Sequence, residues 1–259
     1  MHVITNRRQA QLAIQIAMAA GATMLNNGAE IYRVEDTIER MLGSCQNLNE
    51  VEAIATYSSL IISFIYDEEV ITRVNKIKSI TTDLSKISDV NDFSRKFVVT
   101  DKDLRTCLEE INRISEKEAI GTLAGITAYS LSSAAFTVIV GGGILDFSLA
   151  FIIVFIAQGI STLTANQGRK YFMDTLLSSV IVASLALLFY ELGMNINYNT
   201  VITGSIYQLF PGISLTNSVR DFMNRDLLAG TLGLIQAVFV AGALALGVSL
   251  MIYIHSQVI

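Results

Sequence analysis

Asn217, Arg220 and Asp221 follow closely on the only proline of the chain, Pro211, and the glycine after it, Gly212. An amide, a guanidinium and a carboxylate so close together can hold a small zwitterion or anion. The solute's carboxylate would meet Arg220 or free backbone N–H groups. A proline inside a helix removes one backbone hydrogen bond and clashes with the carbonyl four residues back, here that of Tyr207. In a bilayer such a break is tolerated only where protein or a wet cavity covers it, and interrupted membrane helices commonly form transporter sites. The plainer account is a kink that only shapes packing; the polar residues after the break favour a site. Gln208 and Gln158 join the candidates because a glutamine amide must find partners in lipid, and Asp226 adds a third acidic or basic group to the mouth below Pro211–Gly212.

A second dense group lies far upstream, in Gly28-Ala-Glu-Ile-Tyr-Arg-Val-Glu-Asp36. Glu30, Arg33 and Asp36 can do acid–base or anion-binding work, although spacing alone favours a solvated helix face, with Asp36 and Arg40 set for an i,i+4 pair. The two histidines, His2 and His255, stand at the chain ends, so no nucleophile–histidine pair is available. Phosphate loops and metal clusters are absent from the sequence, so neither an enzyme, a metal nor a cofactor is expected. Transport would need a driving ion, protons being one option. A net charge of −5 without a basic patch gives no hint of nucleic-acid binding.

The elements that must position these groups divide in two. Hydrophobic residues make up 52% and charged ones 16% of 259 residues, a membrane-protein balance. Residues 1–118 hold 32 of the 41 charges, which predicts a polar α+β domain there and an apolar helical domain over 119–259. In the first, helices are expected at 9–25 and 28–43, parted by Asn27–Gly28. Three short β-branched runs at 51–57, 60–66 and 70–77 predict an antiparallel sheet, with Asp67–Glu69 as a turn. Amphipathic helices are expected at 83–97 and 101–117, the latter capped by Asp101. Cys45 and Cys107 lack metal-ligand spacing and read as reduced cytosolic thiols.

In the second domain five apolar runs are long enough to span a bilayer: 119–140, 145–163, 175–192, 199–215 (the broken one) and 227–254. Arg113, Lys117, Arg169, Lys170, Arg220 and Arg225 fall in alternate connections, and the intervening ones carry no basic residue. The positive-inside rule then puts the N-terminal domain in the cytoplasm and the C-terminus outside. Small residues at Gly121, Gly125, Ala128 and Ser132, and at Ala237, Ala241, Ala245 and Ser249, predict close helix contacts.

The Gly28–Asp36 stretch, the apolar strands after it, and Pro211-Gly-Ile-Ser-Leu-Thr-Asn-Ser-Val-Arg-Asp221 ahead of Asp226 and Gly230 together resemble the threonine/serine exporter family of bacterial membrane proteins. The resemblance covers essentially the whole chain and matches the family's larger module, a cytoplasmic domain followed by five spans. It implies a multi-pass protein of a bacterial cell membrane that exports small hydrophilic metabolites by a secondary mechanism, threonine and serine in the founding case and small dicarboxylates in some relatives. A membrane-anchored regulatory or scaffold protein is the alternative of another class. The resemblance also implies a smaller integral membrane protein of the same family as second subunit, with a homo-oligomer as the other arrangement.

Overall fold

The computed structural model describes residues 2–77, 82–117, 121–164 and 171–258. Arg169 and Lys170, on which part of the expected orientation rests, lie outside them, as does the start of the first expected span at 119–120. The chain forms two compact units. Met1–Ala119 and Ile213–Leu234 make the first; Ile120–Gly212 and Ile235–Ile259 make the second.

The first unit opens with α1 (Arg7–Asn26), whose first turn is capped by the Asn6 side chain accepting from the N–H of Gln9 at 2.9 Å. Small residues dominate α1, and Ala10, Ala13, Ala17 and Ala20 are all fully buried, so its backbone comes close to its neighbours. Gly28, at φ +88°, turns the chain into α2 (Ile31–Gly43). This helix is amphipathic, with Ile31, Val34, Ile38, Met41 and Leu42 inward.

A three-stranded antiparallel sheet follows in the order β1 (Asn49–Ala55), β2 (Ser59–Tyr66), β3 (Glu69–Lys76). Central β2 buries Leu60, Ile62 and Phe64, the alternate residues of one face. Asp67 and Glu68 both have positive φ, as a two-residue hairpin turn requires. Glu35 and Glu39 of α2 accept the backbone N–H groups of Ala55 and Ala53 at 2.8 and 3.3 Å, tying that helix to β1. Two helices complete the N-terminal part, α3 (Leu84–Val99) and α4 (Leu104–Glu116). The N-cap of α4 is Asp103, which accepts from the N–H of Arg105, rather than Asp101, because the helix starts later than its charge pattern suggests.

The second unit is built from α5 (Thr122–Ile139), α6 (Ile144–Thr164), α7 (Tyr171–Glu191) and α8 (Tyr198–Ile206), which ends in a 3-10 turn at Tyr207–Leu209. Then come α9 (Gly212–Met223), nearly all of it in the first unit, and α10 (Leu227–Val258), which contributes to both. Among the described residues four helices are long and apolar enough to cross a membrane: α5, α6, α7 and α10. The run at 199–215 is not a single span. α8 has nine residues and rises only about 14 Å, half a hydrocarbon core.

Pro211 therefore precedes a new helix instead of kinking a continuous one. The carbonyl of Tyr207 is not orphaned: it accepts the N–H of Phe210 at 3.2 Å.

Within the second unit polar groups are mostly satisfied locally. The hydroxyls of Ser130, Thr137, Ser184 and Thr203 donate to carbonyls four residues back. Asp146 accepts from the N–H of Gly143 at 2.8 Å and of Asn197 at 3.1 Å, stapling the start of α6 to the start of α8. His255 of α10 meets Glu191 of α7 at 2.8 Å. Close approach occurs at Gly204, packed on Thr137, and at Gly247, packed on Ser179.

The small-residue stripes behave otherwise than expected. Gly121, Ala128 and Ser132 of α5 are exposed, and the buried face is Ser130, Ser133, Ala134 and Thr137. On α10 Ala237 is buried, but Ala245 and Ser249 are exposed, because a strict i+4 row drifts around a 3.6-residue helix.

Gly21 of α1 and Gly43 of α2 give opposite expectations. A side chain at Gly21 meets Ile38 and Leu60 within 2.7 Å, whereas one at Gly43 meets nothing within 4 Å. Gly21→Leu should lower the thermal midpoint by an amount equivalent to ~1–3 kcal/mol. Gly43→Ala should hold or raise it, since alanine is the better helix former. Thermal melts of the purified chain check both.

Candidate functional site

The two polar stretches meet inside the first unit. On α9, Ser214, Asn217, Ser218 and Asp221 recur at i, i+3, i+4 and i+7 and so share one face. Asn217 donates from its side-chain amide to the carbonyl of Gly28 at 3.2 Å. That carbonyl is presented by the left-handed turn at Gly28, just ahead of α2. Arg220 forms an ion pair with Glu30, the residue that precedes α2. Arg220 thus pairs neither with Asp221 nor with Asn217, as proximity in sequence suggested: adjacent positions on a helix point about 100° apart.

Asp221 is fully buried, and neither of its oxygens has a hydrogen bond of good geometry. Burial, then the nearby negative charge of Asp226, pushes its carboxyl up to about 6, while the Tyr57 hydroxyl and Arg220 pull the other way. Tyr57, between β1 and β2, is itself raised by burial and by Asp221, with the Ser218 hydroxyl pulling down. Glu35 is also raised, by burial above all; the N–H of Ala55 opposes this and Asp226, Glu39 and Asp221 add to it.

Asp226 has a structural task as well. It caps α10, its side chain accepting from the N–H of Ala229 at 2.9 Å. Gly233 lets this arrangement close, since a side chain there would run into the hydroxyls of both Ser218 and Tyr57.

A small cavity of about 40 Å³ adjoins these residues, lined among others by Gly28, Ile31, Tyr57, Ser214 and Asn217. It has room for water but not for an amino acid. The first turn of α2 has no side-chain cap, so its free N–H groups favour an anion nearby. Among the described residues no group of three or more His, Cys, Asp and Glu side chains is placed to hold a metal ion.

Arg33 and Asp36 remain on the exposed side of α2, Asp36 pairing with Arg40 as the spacing predicts. Pro211 is buried and Gly212 begins α9. Gln208 and Gln158 belong to the second unit, where Gln208 donates to the Ser132 hydroxyl and Gln158 is half-buried on α6. Sequence reasoning missed Glu35, Tyr57 and Ser218. The polar stripe on α9 signals Ser218, but Tyr57 arrives through a long-range turn and leaves no local trace.

Residues 15–255 match the family model described as "Putative threonine/serine exporter". No curated protein and no solved structure matches the chain significantly.

The raised carboxyl of Asp221 has a definite sign. Its folded value near 6 exceeds the unfolded value near 3.9, so its contribution to stability is complete below about pH 4 and is lost as pH rises through 6. Asp221→Asn should therefore flatten the fall of the thermal midpoint between pH 5 and pH 8. At pH 8 the variant should be the more stable by ~1–3 kcal/mol. A variant that melts lower than wild type at pH 8 would show instead that the charged form is favourably held.

Proposed function

Because the chain belongs to the threonine/serine exporter family, we propose that it is one subunit of a secondary transporter that exports threonine- and serine-type amino acids across a bacterial plasma membrane. It is a membrane protein, with four apolar helices of spanning length. The observation that carries the substrate class is the charge around α9: one guanidinium, Arg220, among the carboxylates of Glu30, Glu35, Asp221 and Asp226. A zwitterion adds no net charge to such a place and can use both signs. A dicarboxylate would bring two negative charges against one cation, which disfavours that reading of the family. A regulatory or scaffold protein would have no use for a buried, unpartnered carboxylate on the helix after the break.

The solute's carboxylate goes to Arg220, with the free N–H groups of α2 beside it, and Asn217 holds the Gly28 turn in place. Asp221 is the group we assign to any proton linkage, being buried and raised toward neutrality.

In this reading α8, the 3-10 turn and the start of α9 together make the return crossing, which keeps five crossings, the N-terminal domain in the cytoplasm and the C-terminus outside. The smaller family module is the expected partner. The uncovered α5 face of Gly121, Ala128 and Ser132 supports a second membrane component, because such stripes let helix backbones approach.

Arg220→Ala and Asp221→Ala should each abolish efflux of threonine from cells loaded with threonine-containing dipeptides, with membrane insertion intact. Efflux at the wild-type rate in both variants would reduce the cluster to packing. Co-expression with the smaller module should raise the rate; full rate from this chain alone would favour a homo-oligomer. For orientation, Arg169→Cys should resist a membrane-impermeant thiol reagent in intact cells. Strong labelling there would invert the topology.

A further inference from the structure

Glu30 is an unusual residue to find beside the start of a helix. It directly precedes α2, yet its side chain does not cap that helix. It is only 8% exposed. One oxygen, Oε1, meets Nη1 of Arg220, while the other, Oε2, is buried with no hydrogen-bond partner. A carboxylate left in this state is poorly solvated, and a cluster with Glu35, Asp221 and Asp226 nearby makes its charge more costly still. Arg220 is in the opposite condition. Its side chain is half exposed, and a guanidinium offers five N–H donors in a fork of which Glu30 engages one end.

The adjoining cavity is too small for an amino acid while this pair is closed. A solute can enter only if the two side chains part. Parting them is unfavourable unless each finds a new partner, because separating a largely buried pair leaves a stranded charge. An α-amino acid supplies both replacements from adjacent atoms: a carboxylate for the guanidinium and an ammonium, with three donors, for Glu30.

Building on the proposed substrate site, we propose that an α-amino acid binds by splitting the Glu30–Arg220 ion pair, with its carboxylate on Arg220 and its ammonium on Glu30. Glu30 then both closes the empty site and selects the zwitterion. A carboxylate without an ammonium must displace Glu30 and leave it unpaired. No bond is made or broken in the exchange, and the site's net charge is unchanged.

The test compares L-threonine with its deaminated counterpart, 3-hydroxybutyrate, binding to the full-length chain in detergent. Wild type should bind threonine at least tenfold more tightly. Glu30→Gln frees Arg220 for both ligands alike but removes the ammonium partner of threonine alone, so the preference should collapse toward unity. A preference that survives in Glu30→Gln overturns the proposal. So does equal affinity of the wild-type protein for the two ligands, a result that needs no folded variant. Failure of the underlying site reading is distinguishable: in that case wild type shows no threonine binding at millimolar concentrations, or Arg220→Ala leaves threonine binding untouched.

Discussion

A buried carboxylate has to find a counter-charge, a hydrogen bond or a proton. The functional part of the first unit depends on how unevenly this is met. Glu35 and Glu39 accept backbone N–H groups from β1, and Asp226 accepts one from its own helix. Glu30 has half of what it needs, in Arg220. Asp221 has only the neighbourhood of Tyr57 and a raised proton affinity. The satisfied groups build a frame from α2, β1 and the start of α10. The two under-satisfied ones stand where α9 faces the Gly28 turn, the place where a ligand or a proton changes the energy most.

The frame itself follows from ordinary packing. α1 is rich in alanine, and Gly21 lets it lie against Ile38 and Leu60. That contact fixes α2, and α2 carries the Gly28 turn and Glu30 at its start. On the other side Gly230, packed on Phe222, and Gly233, packed on Ser218 and Tyr57, hold α9 and α10 together. Backbone proximity granted by three glycines thus decides where four acidic side chains can sit.

Much of this was legible in the sequence. β-branched runs gave the strands, and amphipathic spacing gave α2, α3 and α4, since local pattern and tertiary burial agree there. Uneven charge separated a polar part from an apolar one. The stretch around Pro211 was recognisable as special but was read as a broken span. Its hydropathy is continuous, and hydropathy does not register that Pro211 starts a helix whose polar face of Asn217, Ser218 and Asp221 belongs with the N-terminal elements. Likewise the Arg220–Glu30 pair joins residues far apart in the chain, and nothing local distinguishes that partner from the adjacent Asp221. Tyr57 was invisible for the same reason.

The central claim is that the Gly28 turn and α9 form one amino-acid site. Amide hydrogen exchange of the full-length protein, with and without L-threonine, tests it most directly. The account predicts slowed exchange at residues 28–33 and 213–222 with threonine and no such change with succinate. Equal protection by succinate, or threonine-dependent protection confined to other parts of the chain, would contradict it.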